Sequence, residues 1–379
     1  MIPISPIDYF FYRPSHYTIQ FVFEYLGSID GPALRKSIEI ISKEFGPVRH
    51  QIRQVSPTEL ILVDHSDSIP FVLDHLTFEL DLADHQVLLG LIDPVVTGIG
   101  LPLVKIKLTT TPLRSYVGVS FSHLLGDGYS LTMFMQALSE VCLGTGSTFS
   151  PGNNREALVP KIVDESGRAL DRLFAETGNC LYVEDEGALR QTKSETVEFQ
   201  QDELESLKNE AATANEKVTE NDVVMAALFQ RFCGRLPAAH DGRRAVRCPV
   251  DFRRSVPGLS ANYFGNAVKE AVASFPDDNL SKIGFPDLVK SIRQAISNVT
   301  PESVRQTLAC LDQLRRQEGL GIFKDLGSPG LLVTNLSRMP FQSLDLGIGA
   351  PVQFYVATFP PRVAIITRSV KGLRVNVTI

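Results

Sequence analysis

The 379-residue chain predicts an α/β (α+β) fold in two halves. Stretches of period-2 alternation end in glycine-bearing turns that open stripes of helical period. A shift to turn-forming residues after Gly144 divides the chain, and the strand-and-helix pattern resumes near Thr196. Hydrophobic residues make up 44% and charged residues 21%, enough apolar side chains for substantial cores.

Tyr17 to Leu26 is rich in β-formers and reads as a strand. Asp30-Gly-Pro-Ala33 supplies a cap and an early proline for a helix with Leu34, Ile38, Ile41 and Phe45 on one face, and Gly46-Pro47 ends it. Gln51 to Val55 and Glu59 to Val63 read as a hairpin, whereas the acidic stretch Asp64 to Asp84 shows no clear period. Val104, Ile106 and Leu108 alternate with Lys105 and Lys107, a strand with one solvated face that the Pro112 region turns back into the next strand. In that next strand Val117, Val119, Phe121 and His123 share one parity, and Tyr116, Gly118, Ser120 and Ser122 take the other. After Gly128, Leu131, Phe134, Met135, Leu138, Val141 and Cys142 fall three and four apart, the stripe of a helix that Gly144 terminates.

A polar stretch then runs to about Lys193, with little apolar period before Leu170 and Leu173, and marks the domain boundary. Beyond it lie a strand near Thr196 to Phe199, a helix from Gln201, and a helix capped near Thr219 that carries Val223, Val224, Ala227 and Leu228. Arg244 to Val250 reads as a central strand leading into Asp251-Phe-Arg-Arg254. Two helices follow, one striped with Leu288, Ile292, Ala295 and Ile296, the other opened by Thr300-Pro301 and striped with Val304, Leu308, Leu311 and Leu314. Gly330 to Ile379 reads as strands and turns, and no solenoid or propeller repeat is present.

Seven histidines occur, of which His16, His50, His65, His75, His85 and His240 read as surface or satisfied core. His123 differs because a strand end, a tight turn and a buried helix hold it. An imidazole of pKa about 6.5 in that position can take a proton near neutrality, worth roughly 10²- to 10⁴-fold in rate when a substrate hydroxyl is within reach. Asp127 reads as structural, a helix N-cap or a buried ion-pair partner. No GxSxG elbow or catalytic-cysteine context accompanies the histidine, so a covalent nucleophile is not required.

The net charge of -6, without a polybasic run, argues against nucleic-acid binding. Five scattered cysteines without CxxC spacing support neither a disulfide framework nor a metal site. The opening residues lack a signal-peptide pattern, and no run of about 18 apolar residues suits a membrane. The expectation is a soluble, cytoplasmic protein with no membrane partner.

His123, Asp127 and Gly128 match the HxxxDG signature of the BAHD acyltransferases and their chloramphenicol acetyltransferase-like and peptide-condensation relatives. Asn262-Tyr-Phe-Gly-Asn-Ala-Val268 resembles the family's YFGN motif. Asp345-Leu-Gly-Ile-Gly-Ala-Pro351 resembles its DFGWG element, preceded by Val333-Thr-Asn-Leu-Ser-Arg-Met-Pro340 at the expected distance. Ile4-Ser-Pro-Ile-Asp8 is similar to the family's opening segment, and Ser122 in place of a second histidine favours the BAHD branch over the condensation enzymes.

The resemblance implies two chloramphenicol acetyltransferase-like domains, each a mixed sheet flanked by helices: residues 1–180 with HxxxDG, a crossover segment from about 145 to 193, and residues 194–379 with the other two motifs. It implies a channel between them, entered by acyl-CoA from one side and by a small-molecule acceptor from the other, with acyl-CoA as co-substrate and no permanent cofactor. His123 would deprotonate a hydroxyl, or an amine, for direct attack without an acyl-enzyme. Asp127 would pair with an arginine, for which Arg253 is the candidate; the other reading of Arg253 is a solvated loop charge. Relatives carry tryptophan where this chain has Ile348 and Leu336, and it contains none at all. Thr334, Asn335 or a backbone N–H therefore remain as donors to the oxyanion. Asp345, Gly347 and Gly349 are expected to lie away from the chemistry and shape the channel, the glycines as backbone requirements; Gly265 is expected to serve a tight turn, Asn266 to take a buried hydrogen-bonded position or else to lie against substrate, and Ile348 to lie against substrate. A carrier-protein thioester is the alternative donor, and a non-catalytic binding protein of the same fold is a further alternative. The expected state is a monomer.

Overall fold

The alternating stretch before His123 forms the strand Arg114–Ser122, buried on both faces. Val117, Val119 and Phe121 enter the main core, while Tyr116, Ser120 and Ser122 are buried on the other side. It is the middle strand of a five-stranded sheet ordered Gln353–Val356, Thr18–Leu26, Arg114–Ser122, Val104–Thr110, Phe71–His75. Antiparallel pairing along its full length, from Thr18 opposite Ser122 to Leu26 opposite Arg114, fixes its register. A Cβ at Gly118 would stand 2.0 Å from the Leu91 carbonyl oxygen, so glycine is what lets the segment at Leu91 cover this face.

The computed structural model describes residues 1–12, 18–82, 84–160, 168–181, 193–212, 218–239, 241–357 and 360–379. Tyr17 at the head of the first expected strand, His16, His240, and residues 161–167 and 182–192 of the expected crossover lie outside the described residues.

The remaining elements of the first half follow from their sequences. Asp30 caps the helix Gly31–Glu44 through the Ala33 N–H at 3.0 Å, and Leu34, Ile38 and Ile41 are buried. The hairpin runs over His50–Ser56 and Glu59–Asp64. Lys105 and Lys107 occupy the half-exposed face, each tied to a carboxylate, Asp93 at 3.0 Å and Asp74 at 2.7 Å. The stretch without a period contains the strand Phe71–His75, paired parallel with Val104–Thr110. Five half-buried residues at a sheet edge are too few and too mixed to show alternation.

The second half builds a six-stranded sheet ordered Val268–Pro276, Arg243–Asp251, Leu331–Asn335, Val363–Ser369, Gly372–Thr378, Ser194–Gln200. The strand at Arg243–Asp251 is thus next to the edge. On one face Val246, Cys248, Val333, Ala364 and Ile366 join a core with the helices Gln201–Ala211, Glu220–Phe232 and Phe285–Ser297. Alternation sends Arg247, Leu332, Thr334, Val363 and Ile365 to the other face, which walls a cavity. The helix Pro301–Glu318, capped by Thr300, packs instead with Ala169–Thr177 against the first core. Two links cross between the halves: Gln353–Val356 is the edge strand of the first sheet, and Leu326–Gly327 pairs with Cys180–Leu181.

Candidate active site

His123 is the first residue beyond the strand Arg114–Ser122, and the helix Gly128–Cys142 starts five residues later. The turn between them docks on the YFGN-like loop. A Cβ at Gly126 would lie 2.7 Å from Ser130 Cβ and 3.5 Å from Gly265 Cα, so two glycines permit the approach. The Ser130 hydroxyl donates to the Gly265 carbonyl at 2.9 Å and accepts its N–H at 3.0 Å.

The ring of His123 is fixed on two sides. Phe11 stacks on it with centroids 3.8 Å apart and an interplanar angle of 9°. Behind it stands Asn266, whose Nδ2 donates to Asp8 Oδ1 and to the His123 carbonyl, each at 2.8 Å. Both of those partners can only accept, so the amide must turn its Oδ1 towards His123 Nδ1, 3.1 Å away. Nδ1 therefore carries the proton and Nε2 the lone pair, an assignment made from the hydrogen-bond network. Burial holds the imidazole pKa below its ordinary value, against the smaller opposing pull of Asp127, Asn266 and Asp8.

Asp127 faces away from the cavity. It caps the helix by accepting from the Ser130 N–H at 3.0 Å, and its other oxygen accepts from the Ala267 N–H at 3.0 Å. Arg253 reaches it at 2.8 Å with both side chains buried. The same guanidinium donates to the carbonyls of Tyr263 at 3.1 Å and Gly265 at 2.9 Å and lies 4.7 Å from the Tyr129 ring centre. Burial alone would push the Asp127 pKa up; the charge of Arg253 and the hydrogen bonds outweigh it and hold the carboxyl below its ordinary range.

A second buried pair supports Asn266. Asp8 and Arg155, both fully buried, form an ion pair, and the Ser5 hydroxyl and N–H donate to the same carboxylate oxygen at 2.6 and 2.9 Å. Arg155 also donates to the Leu125 carbonyl in the histidine turn. The crossover is anchored where Gly152 accepts from the Phe264 N–H at 2.7 Å.

His123 and Gly128 open on a cavity of about 470 Å³. Phe10, Phe11 and Phe21 wall it on one side; Leu332, Thr334 and Ile365 of the six-stranded sheet wall it on the other. A volume of this size fits a small organic ligand.

The family model described as "Transferase family" matches residues 81–367. The chain belongs to the BAHD transferase family. Vinorine synthase of Rauvolfia serpentina is 25% identical over a match covering 90% of this chain and 79% of that protein. The omega-hydroxypalmitate O-feruloyl transferase of Arabidopsis thaliana is 22% identical over 66% of this chain, and the match spans 55% of that relative. Among solved structures, F. sporotrichioides TRI101 complexed with coenzyme A and T-2 superposes with a TM-score of 0.78 at 15% identity, covering 100% of this chain and 95% of that one. The architecture of two sheets flanked by helices is the BAHD fold.

The BAHD-type positions divide on contact with the cavity. Thr334 and Leu336 line it. Asn335, expected as an equal candidate for the oxyanion, does not: its Nδ2 donates to Asn221 at 3.0 Å, and its Oδ1 accepts from the Ser337 N–H at 3.0 Å and hydroxyl at 2.7 Å. Of the two readings of Asn266, the structure has the buried hydrogen-bonded position and not the substrate contact: it lies fully buried beneath the imidazole, where it satisfies Asp8 and the histidine turn. Ile348, also expected there, is 38% exposed and lies off the cavity, since its loop curls around Asp345. Asp345 Oδ1 accepts from the N–H groups of Gly347 and Gly349, each at 2.8 Å. Those glycines have φ of +99° and +101°, where a side chain would strain the backbone.

Phe11, Asp8 and Arg155 were missed as site residues. Ser5-Pro-Ile-Asp8 does carry a capping-box spacing, a signal that fixes the acid on a helix start. Nothing local to Arg155 announces a buried partner. Among the described residues no group of His, Cys, Asp and Glu could hold a metal ion, and no helix is long and apolar enough to cross a membrane.

Proposed function

We propose that this BAHD protein transfers an acyl group from acyl-CoA to a hydroxyl of a small molecule, with an amine as the alternative acceptor, and that His123 is the general base. The observation that carries this reading is the tautomer of His123: Asn266 occupies Nδ1, which leaves the Nε2 lone pair of a cavity-lining imidazole for a substrate proton. Coenzyme A in the TRI101 structure and the relative named spermidine coumaroyl-CoA acyltransferase support the donor class.

The acceptor's O–H proton passes to Nε2 as its oxygen bonds to the thioester carbonyl carbon. The carbonyl electrons move onto oxygen, giving a tetrahedral oxyanion, and Thr334 is the side-chain donor on the cavity wall suited to it. As that oxyanion collapses, the C–S bond breaks and the departing thiolate takes the proton from Nε2, restoring the neutral ring. Throughout, Asn266 Oδ1 keeps accepting from Nδ1–H, so the transient imidazolium stays hydrogen-bonded. Asp127, Arg253 and Gly128 hold the turn that aims the ring. We propose residues 1–180 and 194–379 as the two functional domains, joined by the crossover from about 145 to 193. Residues from both halves of the one chain line the cavity, in keeping with the proposal of a monomer.

Thiol release from a panel of acyl-CoA donors with alcohol and amine acceptors tests the proposal. Wild-type turnover should fall about 10²- to 10⁴-fold in His123→Ala. Turnover only with an acyl carrier protein as donor would replace the CoA reading, and release unchanged by His123→Ala would end it.

A further inference from the structure

The end of the cavity away from His123 contains an arginine that makes one hydrogen bond among the described residues out of about five N–H donors. Arg247 is 7% exposed, sits on the strand Arg243–Asp251 and lines the cavity. Its only hydrogen bond among the described residues runs from Nη1 to Glu270. Nε is buried without a partner, and Nη2 has none either. Nε–H and Nη2–H lie on the same edge of the planar guanidinium and point in parallel, the fork that matches the two oxygens of a carboxylate. A buried N–H left unpaired destabilises the empty site, and a ligand group that fills the fork relieves it.

The other buried cation of this cavity is already engaged within the protein. Lys269, also buried, spends its ammonium on Thr307 Oγ1 at 2.7 Å, the Ser303 carbonyl at 3.1 Å and Glu176 at 3.3 Å. Arg247, Lys269, Lys324 and Arg362 line the cavity against Glu270 and Asp325.

Sheet geometry gives the span. Arg247 stands opposite Leu332 on the neighbouring strand, four residues before Leu336, which packs at Gly128. At about 4.8 Å between strands and 3.3 Å per residue, Arg247 is roughly 14 Å along the cavity wall from the histidine end.

We infer that Arg247 is a substrate-recognition residue that binds a carboxylate carried at the end of a substrate remote from its reacting group. Which substrate carries it rests on the acyl-transfer reading: an acceptor of the hydroxy-acid class, or the acyl chain of a dicarboxylic donor. Glu270 holds the guanidinium in place through Nη1 and leaves the other edge to the ligand.

Calorimetry without turnover tests this. The acceptor probes are 8-hydroxyoctanoate, 10-hydroxydecanoate and 12-hydroxydodecanoate, each against the diol of equal length; the donor probes are dodecanedioyl-CoA against dodecanoyl-CoA. In the wild type one carboxylate series should bind at least about tenfold more tightly than its neutral counterpart. The double variant Arg247→Met/Glu270→Gln removes both charges, so no carboxylate is orphaned, and it should erase that preference while leaving affinity for the neutral probe unchanged. Arg247→Lys should keep part of it, since an ammonium supplies charge without the fork. A preference in the hydroxy acids assigns the carboxylate to the acceptor, and one in dodecanedioyl-CoA assigns it to the donor. Equal binding of charged and neutral probes, or a preference that survives in the double variant, overturns the inference. Because binding is read separately from thiol release, an Arg247-dependent preference in a protein that releases no thiol would refute the acyl-transfer reading alone.

Discussion

Asn266 and His123 are 143 positions apart in the chain and share two hydrogen bonds: the amide oxygen lies 3.1 Å from ring Nδ1, and the amide nitrogen donates to the histidine's own carbonyl at 2.8 Å. One side chain thus fixes both the tautomer and the backbone of the proposed base. Replacing it with alanine should lower kcat about 10- to 100-fold, a part of what base catalysis supplies, with little change in KM. Steady-state kinetics check this; a raised KM at unchanged kcat would return Asn266 to a substrate-contact role.

Burial depresses the His123 pKa, so the neutral ring persists below the free-imidazole value of about 6.5. The acidic limb of kcat/KM should therefore have its midpoint below about 6.5, with activity constant above it until another group titrates. The same shift is a stability statement. The neutral ring favours the folded state, a contribution present above the unfolded pKa and lost as pH falls through the folded one. A pH profile with its midpoint clearly above that value would contradict the buried setting.

The Asp127–Arg253 pair is buried on both sides. Asp127→Ala or Arg253→Ala leaves an unpaired charge and should cost about 3–5 kcal/mol in denaturant unfolding. Because the Asp127 pKa is depressed in the folded protein, the pair's contribution is present above the unfolded carboxyl value of about 3.9 and disappears as pH falls through the folded one. Variants of wild-type stability with a defect confined to the chemical step would show that Asp127 acts on substrate.

Thr334 and Asn335 are adjacent, yet only the first lines the cavity. Thr334→Val keeps the shape and removes the hydroxyl, so kcat should drop by about 10²- to 10³-fold, with KM little affected. Asn335→Ala breaks the bonds to Asn221 and Ser337 and should cost about 1 kcal/mol of stability, with a much smaller kinetic effect. The reverse pattern would give the oxyanion role to Asn335.

Local order made much of the scaffold readable. Leu131, Phe134, Met135 and Leu138 are buried on the helix that their spacing indicates, and Asp30, Thr219 and Thr300 cap the helices they precede. Burial of both faces of Arg114–Ser122 was less visible, because serines and a glycine hide the second covered face. What could not be read were contacts between distant segments. Arg155 lies in a stretch of glycine and asparagine that looks like linker, and only tertiary folding brings it to Asp8, 147 positions away. Asn266 and Ile348 both sit in motif-like stretches. Motif position did not distinguish a side chain packed under the histidine from one facing solvent, since that depends on which neighbour arrives. Phe11 had no local signal, because stacking on His123 requires the opening helix to reach the end of the central strand.

The strand Gln353–Val356 bears on how the protein is made. Tyr355 bonds to Glu24 across 331 positions, so the sheet around His123 gains its last edge only after the strand Gln353–Val356 has been made. Until then the nascent N-terminal half exposes the bare backbone of Thr18–Leu26, a template for mispairing with other chains. Heterologous production of that half alone should give aggregates, and the sheet that carries the proposed base would be completed only once its distant edge strand has emerged.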